Sequence, residues 1–234
     1  MIFARRHLIA RLMAMSMWAA VPPAWSLGLD DLTQAEMNGG LKEALTTGAS
    51  AAVALLGKQD GFLGNPKVRI PLPANLAKAE KTLRKFGQGE RADELIVAMN
   101  RAAEAAVPEA KVLLVDAVKK MTVTDAKSIL TGGDDATTQF FKRITKEPLT
   151  KKFLPIVKQA TDQVGLAHTY NSFASAATQF GLLKHDQSSI EGYVTDKALD
   201  GLYLMIAEEE RAIRRNPVGY GGKLIGKVFG ALPK

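Results

Sequence analysis

The sequence predicts an all-α protein, a compact bundle of about eight helices with one extended, proline-rich loop. Gly and Pro residues divide the chain into segments of helical length. Two of these segments, around Leu95–Ala106 and Leu199–Ile213, carry apolar residues at the three- and four-residue spacing of an amphipathic helix. Hydrophobic residues make up 47% and charged residues 24% of the 234 residues, which is ordinary for a globular domain and argues against disorder.

The first 26 residues have the pattern of an export signal. Three arginines precede an apolar run, Leu12–Val21, whose length of about ten residues is too short to span a bilayer and suits a signal-peptide core. Two prolines end the run, and Ala24 and Ser26 supply small residues where a signal peptidase reads the chain. The chain has no cysteine, so a lipid-modified N-terminus is excluded. We therefore expect cleavage after Ser26 and a periplasmic location.

The remaining residues, 27–234, are predicted to form a single all-helical domain. Loss of the three signal arginines lowers the count of basic residues from 31 to 28 and the net charge from +7 to +4. A charge of that size aids solubility and does not favour a nucleic-acid partner. Without cysteines there are no disulfides, so packing alone must stabilise the domain.

Helix-capping residues and the helix-breaking residues Gly and Pro predict the elements of the first half of the chain. Asp30 and Asp31 are expected to cap a first helix that ends near Leu56. Gly57–Pro73 contains turn signals and three prolines and is the longest non-helical stretch, in which the alternation of Val68–Ile70 is compatible with one short strand. Two helices follow, of which the second should be kinked or split by Pro108; they are predicted over Asn75–Phe86 and Glu90–Lys120.

The second half is predicted as a series of further helices. Thr122 and Asp125 have the spacing of a capping box, Asp134 and Asp135 begin the next helix, and Pro148 begins another. The last predicted segments are a helix over Ala167–Phe180, a polar loop over His185–Ser189, a strong helix over Thr195–Arg215, and an apolar, basic, glycine-rich tail over Tyr220–Phe229.

Common catalytic and cofactor motifs are incomplete in this chain. Gly221–Lys227 fits the phosphate-binding pattern, but Val228 stands where a magnesium-binding Ser or Thr is required. The mature chain has two histidines, His168 and His185, and neither has a second metal ligand at helical spacing. There is no G-x-S-x-G elbow and no cysteine nucleophile. The sequence therefore predicts neither a cofactor nor a metal site.

The helix predicted from Thr195 carries the first group of unusual polar residues. Glu210 falls in the middle of its apolar stripe and Glu209 at the edge, at about 100° per residue. A buried carboxylate needs a partner, and Arg214, one turn later, can supply it. A structural ion pair inside the core is the favoured interpretation, and a carboxylate lining a pocket is the alternative.

The helix predicted from Glu90 carries a second group. Asn100 and Glu104 lie one turn apart at the edge of its apolar face, and the surrounding alanines allow a neighbouring helix to approach closely. A hydrogen bond between two helices is the favoured interpretation, and a functional site is the alternative.

The tail contains glycines at every fourth position, Gly222, Gly226 and Gly230, beside apolar residues. Small residues at this spacing permit close helix contact. We expect a terminal helix docked on the domain through these glycines, with a patch for a membrane surface or a partner as the alternative.

Several strings together resemble one known family. They are Gly61-Phe62, Arg69–Pro73, Met99–Glu104, Asp125-Ala126 with Ile129-Leu130, Thr137-Thr138 with Phe140, Lys197–Leu202, and Glu209-Glu210 with Ile213-Arg214 and Asn216-Pro217. On these residues the chain resembles an exported family of Gram-negative bacteria, the domain of unknown function numbered 4197. The resemblance covers nearly the whole mature chain and implies export and an all-helical fold. It implies no activity, ligand or catalytic residue.

Two classes of function remain open from the sequence. The first is a non-catalytic binding or interaction protein of the cell envelope, whose partner is an apolar small molecule, an envelope protein or a membrane surface. The alternative is an enzyme of unfamiliar type that uses Glu104, Glu209 or Glu210 together with Asn100 and Arg214. The two classes differ in whether these side chains converge on an open cavity or lie in a closed core.

Overall fold

The computed structural model describes residues 32–231, apart from 86, 88, 164, 166, 167, 169, 171–188 and 221. All regular secondary structure in this part of the chain is helical, which confirms the predicted all-α class. The helices are α1 (Gln34–Leu56), α2 (Ala74–Lys85), α3 (Gly89–Ala106), α4 (Ala110–Lys119), α5 (Val123–Thr131), α6 (Ala136–Gln163), α7 (Ile190–Arg215) and α8 (Lys223–Gly230). The predicted signal peptide, most of the helix predicted over residues 167–180 and most of the loop predicted from His185 lie outside the described residues.

Six of the described helices have ten or more residues, whereas α5 has nine and α8 has eight. The predicted number of about eight full-length helices is therefore not matched. One cause is that the two helices predicted around Pro148 are a single helix, α6, with Pro148 and Pro155 inside it. Both prolines are exposed, so the carbonyl groups that lose their helical partners face water, while Phe141, Phe153 and their neighbours pack on the opposite side.

Side-chain caps set the start of several helices. Thr122 and Asp125 form the predicted capping box at α5. A second capping box, of Thr33 and Glu36, begins α1. Ser189 caps α7 by accepting a hydrogen bond from the Gly192 amide, so this helix begins five residues before the predicted start at Thr195. A short 3₁₀ turn, Val107–Glu109, separates α3 from α4, which confirms the break predicted at Pro108.

The core is organised around α7. This helix packs along α6 and also contacts α1 and α3, while α1 further contacts α4 and α8. The largest fully buried side chains come from several elements and include Leu41, Phe62, Phe141, Phe153 and Tyr203. No helix in the described residues is both long enough and apolar enough to cross a membrane.

The extended loop predicted over Gly57–Pro73 is present between α1 and α2, but the short strand suggested at Val68–Ile70 is not formed. Phe62, Val68, Ile70 and Leu72 point into the core, so the loop covers the helices with alternate apolar side chains. No neighbouring strand lies within the described residues, and a side chain of α3 takes its place, as shown below.

The tail is a docked helix, as predicted, but of its three glycines only Gly222 is a point of close contact, since a Cβ atom there would lie 2.6 Å from the side chain of Glu43 on α1. Ile225, Val228 and Phe229 of α8 are buried against the domain. A Cβ atom at Gly226 would lie 3.7 Å from the nearest atom, and one at Gly230 would meet nothing within 4 Å. The close approach occurs at Gly40 of α1, where a Cβ atom would lie 2.6 Å from the carbonyl oxygen of Leu224.

We therefore expect Gly40→Ala to lower the melting temperature. The new methyl group would collide with the backbone of α8, and overpacking of this kind costs about 1–3 kcal/mol. The matched control, Gly226→Ala, adds the same methyl group at a position with room for it and should leave stability unchanged or raise it by about 0.5–1 kcal/mol. Thermal unfolding followed by circular dichroism measures both variants. A larger loss for Gly226→Ala than for Gly40→Ala would contradict this account of the α1–α8 contact.

Candidate functional site

The five polar residues predicted as a candidate site lie in two clusters with different partners. Asn100 and Glu104 on α3 bind the loop of residues 57–73, whereas Glu209, Glu210 and Arg214 on α7 bind the segments around α8 and α6. The hydrogen bonds of the two clusters share no partner. The structure therefore brings each group together locally but does not join the two groups into one site.

Asn100 performs the role of a neighbouring strand for the loop. Its side-chain oxygen accepts a hydrogen bond from the Ile70 amide at 2.8 Å, and its side-chain nitrogen donates to the Ile70 carbonyl at 2.9 Å. The same nitrogen donates to the carbonyl of Ile96 within α3. Asn100 is completely buried. Its partner is thus the backbone of a loop and not a neighbouring helix, which corrects the predicted bond between two helices.

Glu104 holds the first turn of the same loop. One carboxylate oxygen accepts hydrogen bonds from the amides of Phe62 and Leu63 at 3.0 and 3.1 Å. The other oxygen accepts from Arg101 at 2.7 Å, and Arg101 also donates to Asp60 at 2.8 Å. Asp60 has a left-handed backbone, with φ of 63°, so the turn is tight at the point where these charges meet. Here too the partner is the loop.

Glu210 lies in the core, and the predicted pair with Arg214 is present. A single oxygen of its carboxylate accepts three hydrogen bonds, from the Thr137 amide at 3.2 Å and from two nitrogens of Arg214 at 3.2 and 3.0 Å. The second oxygen is buried and has no hydrogen-bond partner among the described residues. Burial raises the pKa of Glu210, and the hydrogen bonds from Thr137 and Arg214 act in the opposite direction.

The other residues of this cluster fix the segment that leads to α8. Glu209 accepts a hydrogen bond at 2.8 Å from the hydroxyl of Tyr220, which ends the 3₁₀ turn before α8. Burial and this contact raise the pKa of Tyr220 to about 12. Arg214 donates to the carbonyl of Ile129 and lies over the ring of Phe229, 5.8 Å from its centre. At the far side of α8, Lys227 forms an ion pair with Glu36 of α1.

The space beside Glu210 is small. Ala44, Gly48, Phe229 and neighbouring side chains enclose a cavity of about 20 Å³, which is room for about one water molecule. A substrate does not fit beside the carboxylate in this arrangement. Within the described part of the chain, no group of three or more His, Cys, Asp or Glu side chains is placed to hold a metal ion.

A much larger opening lies between the beginning of α1 and the whole of α5. Its volume is about 390 Å³, which is within the range of small-molecule sites. More than half of its lining residues are apolar: Leu32, Met37, Val123, Ala126 and Leu130. Val123 is 52% exposed although it is apolar. We call this opening the α1–α5 groove.

The polar lining of the α1–α5 groove comes from Gln34, Asn38, Lys127 and Thr131. None of the groove residues was among the predicted site residues. The spacing of Val123, Ala126, Lys127 and Leu130 placed them on one helical face, but that pattern predicts burial against a neighbour equally well. The sequence does not predict that α1 and α5 are separated at this end of the bundle.

Comparison with known proteins agrees with the resemblance drawn from the sequence. A family model described as "Protein of unknown function (DUF4197)" matches residues 31–230. No curated protein and no solved structure matches the chain. Because the family model covers well over half of the 234 residues, the chain belongs to the DUF4197 family of proteins of unknown function.

Proposed function

We propose that this protein is a non-catalytic binding protein of the bacterial periplasm and that it holds the apolar part of a small ligand in the α1–α5 groove. The observation that carries the proposal is the groove itself, an opening of about 390 Å³ with an exposed valine in its wall. Large apolar side chains left open to water in a concave site are a typical feature of ligand binding.

The arrangement of the polar clusters supports binding over catalysis. Asn100 and Glu104 use their hydrogen-bonding groups on the loop backbone. Glu210 keeps one buried oxygen without a partner among the described residues, but the adjoining cavity admits about one water molecule. These side chains hold the loop and α8 against the bundle, so their positions are explained without a reaction.

The ligand site is tested by Val123→Asp. This substitution places a charge on the apolar wall, so it should abolish or strongly weaken binding of a neutral amphiphile, for which monolauroylglycerol below its critical micelle concentration is a suitable probe. Val123 is at the exposed start of α5, where an acidic residue suits the helix, so the fold should be unaffected. Isothermal titration calorimetry of the mature protein measures the affinity.

The matched control is Val112→Asp. Val112 is 61% exposed on α4 and does not line the groove, so this variant should bind the probe as the unchanged protein does. Absence of binding to the unchanged protein, or equal binding by both variants, would refute the proposed site.

The proposed location rests on the N-terminal pattern and is tested separately. N-terminal sequencing of the protein from a periplasmic extract should begin at Leu27, because Ala24 and Ser26 place small residues before that bond. Protein that retains Met1 and remains in the cytoplasm would contradict both the cleavage and the export.

A further inference from the structure

The charges around the α1–α5 groove are unevenly distributed. Lys127 is exposed on α5 and belongs to the lining. Lys42, one turn after the lining residue Asn38, donates a hydrogen bond to the carbonyl of Lys119 at 3.2 Å. This bond places the end of α4, with Lys119 and the exposed Lys120, next to α1 at the end of the groove where α5 begins.

Three acidic residues, one each on α1, α4 and α5, already have partners. Asp125 accepts hydrogen bonds from Thr122 and forms an ion pair with Arg143 at 2.6 Å. Asp116 lies 3.6 Å from Lys119. Glu36, on the first turn of α1, is bound by Thr33 and by Lys227, and these bonds lower its pKa to about 2. Within the described residues, Lys42, Lys120 and Lys127 form no ion pair with these or other acidic groups.

Apolar side chains line much of the groove away from these lysines. Leu32 and Met37 belong to the α1 side and Leu130 to the last turn of α5, where Gln34 and Thr131 add polar groups. Lys42 is held near the beginning of α5 by its bond to the carbonyl of Lys119, four residues before Val123. The groove thus combines an apolar lining with Lys127 in its wall and Lys42 close by.

We propose that the ligand is a single-chain amphiphile with an anionic head group, a carboxylate or a phosphate, which contacts Lys127 and Lys42 while its apolar chain extends towards Leu32 and Leu130. This inference rests on the proposed function, since it assigns a chemical class to the ligand of the same groove. Charge complementarity carries it, because an anionic head gains ion pairs with Lys127 and Lys42 that a neutral head does not.

The test compares head groups on one chain length. Dodecanoate and dodecyl phosphate should bind the mature protein at least about fivefold more tightly than monolauroylglycerol. This factor in affinity corresponds to one exposed ion pair of strength near the upper end for such pairs. Dodecyltrimethylammonium should bind more weakly than the neutral compound. The advantage of the anions should shrink when the ionic strength is raised from 50 to 500 mM, because salt screens exposed charges. The relative affinity of the two anions identifies whether the site prefers a carboxylate or a phosphate.

Substitution of the lysine separates this inference from the proposed function. Lys127→Gln should weaken both anions by at least about threefold and leave monolauroylglycerol unchanged, because only an ion pair is lost. Lys58→Gln, an exposed position on the loop, serves as the control and should change neither. Equal binding of neutral and anionic probes, with no effect of Lys127→Gln, would overturn the inference and leave the groove as an apolar site. Failure of every probe to bind would instead overturn the proposed function.

Discussion

Replacement of Glu210 by alanine should destabilise the protein by about 3–5 kcal/mol, because it leaves a partly buried arginine without its carboxylate. The side chains of Glu210 and Arg214 are 3% and 13% exposed and lie 3.0 Å apart, so water does not replace the lost partner easily. The amide of Thr137 loses its acceptor in the same variant. Chemical denaturation of the purified protein measures the loss.

Glu208→Ala provides the comparison for this prediction. Glu208 lies on the same helix and also forms ion pairs, with Lys67 at 3.0 Å and Arg211 at 2.7 Å, but its side chain is 30% exposed. Pairs of this kind contribute about 0–1 kcal/mol, so the expected loss is small. Similar small losses for both variants would show that Glu210 is solvated. A stable Glu210→Ala protein that loses a bound ligand would assign this carboxylate to a binding site.

Asn100→Ala should have the second large effect, a loss of about 2–6 kcal/mol. The substitution leaves the amide and the carbonyl of Ile70 buried without partners, and each such group costs roughly 1–3 kcal/mol. Because both groups belong to the loop of residues 57–73, the loop should also separate more readily from the bundle. Limited trypsin digestion reports that motion through cleavage after Lys67 and Arg69, which are exposed.

Asn38→Ala is the control for the amide itself. Asn38 is a half-buried asparagine on α1. Within the described residues its side chain makes no hydrogen bond to the loop, so its replacement should change stability and loop cleavage only slightly. If Asn100→Ala unfolds at the same denaturant concentration as the unchanged protein and is cleaved at the same rate, the strand-like role assigned to Asn100 is wrong.

The sequence predicted those features that depend on neighbouring residues. Three such features are present: the capping box at Thr122, the break at Pro108 and the position of Glu210 on the buried face of its helix. Each follows from residues within one predicted helical segment. The class of the fold follows from the same local periodicity. Local rules also explain one error, because a proline usually begins a helix, whereas Pro148 is tolerated inside α6 by exposure of the carbonyl groups it leaves free.

Features that depend on distant segments were not predictable in this way. Asn100 was recognised as an unusual polar residue, but its partner at Ile70 is thirty positions away in a segment without regular structure. The tail glycines predict where α8 makes close contact, but Gly226 and Gly230 have room for a Cβ atom, and the backbone of α8 is approached most closely at Gly40 on the opposite helix. The α1–α5 groove lies between two helices that are far apart in the sequence, and no spacing within either helix predicts it.

The packing of α8 on α1 has a consequence for the order in which the protein folds. The Glu36–Lys227 pair joins residues 191 positions apart, and the neighbouring apolar contacts span similar distances along the chain. Closing so long a segment costs chain entropy before any contact compensates for it, so α1 acquires its final neighbours only when the last helix is available. A chain that emerges N-terminus first therefore cannot complete its core early. If the protein is exported as proposed, α8 is the last of these helices to cross the membrane, so the α1–α8 contact is the last of the α1 contacts to form.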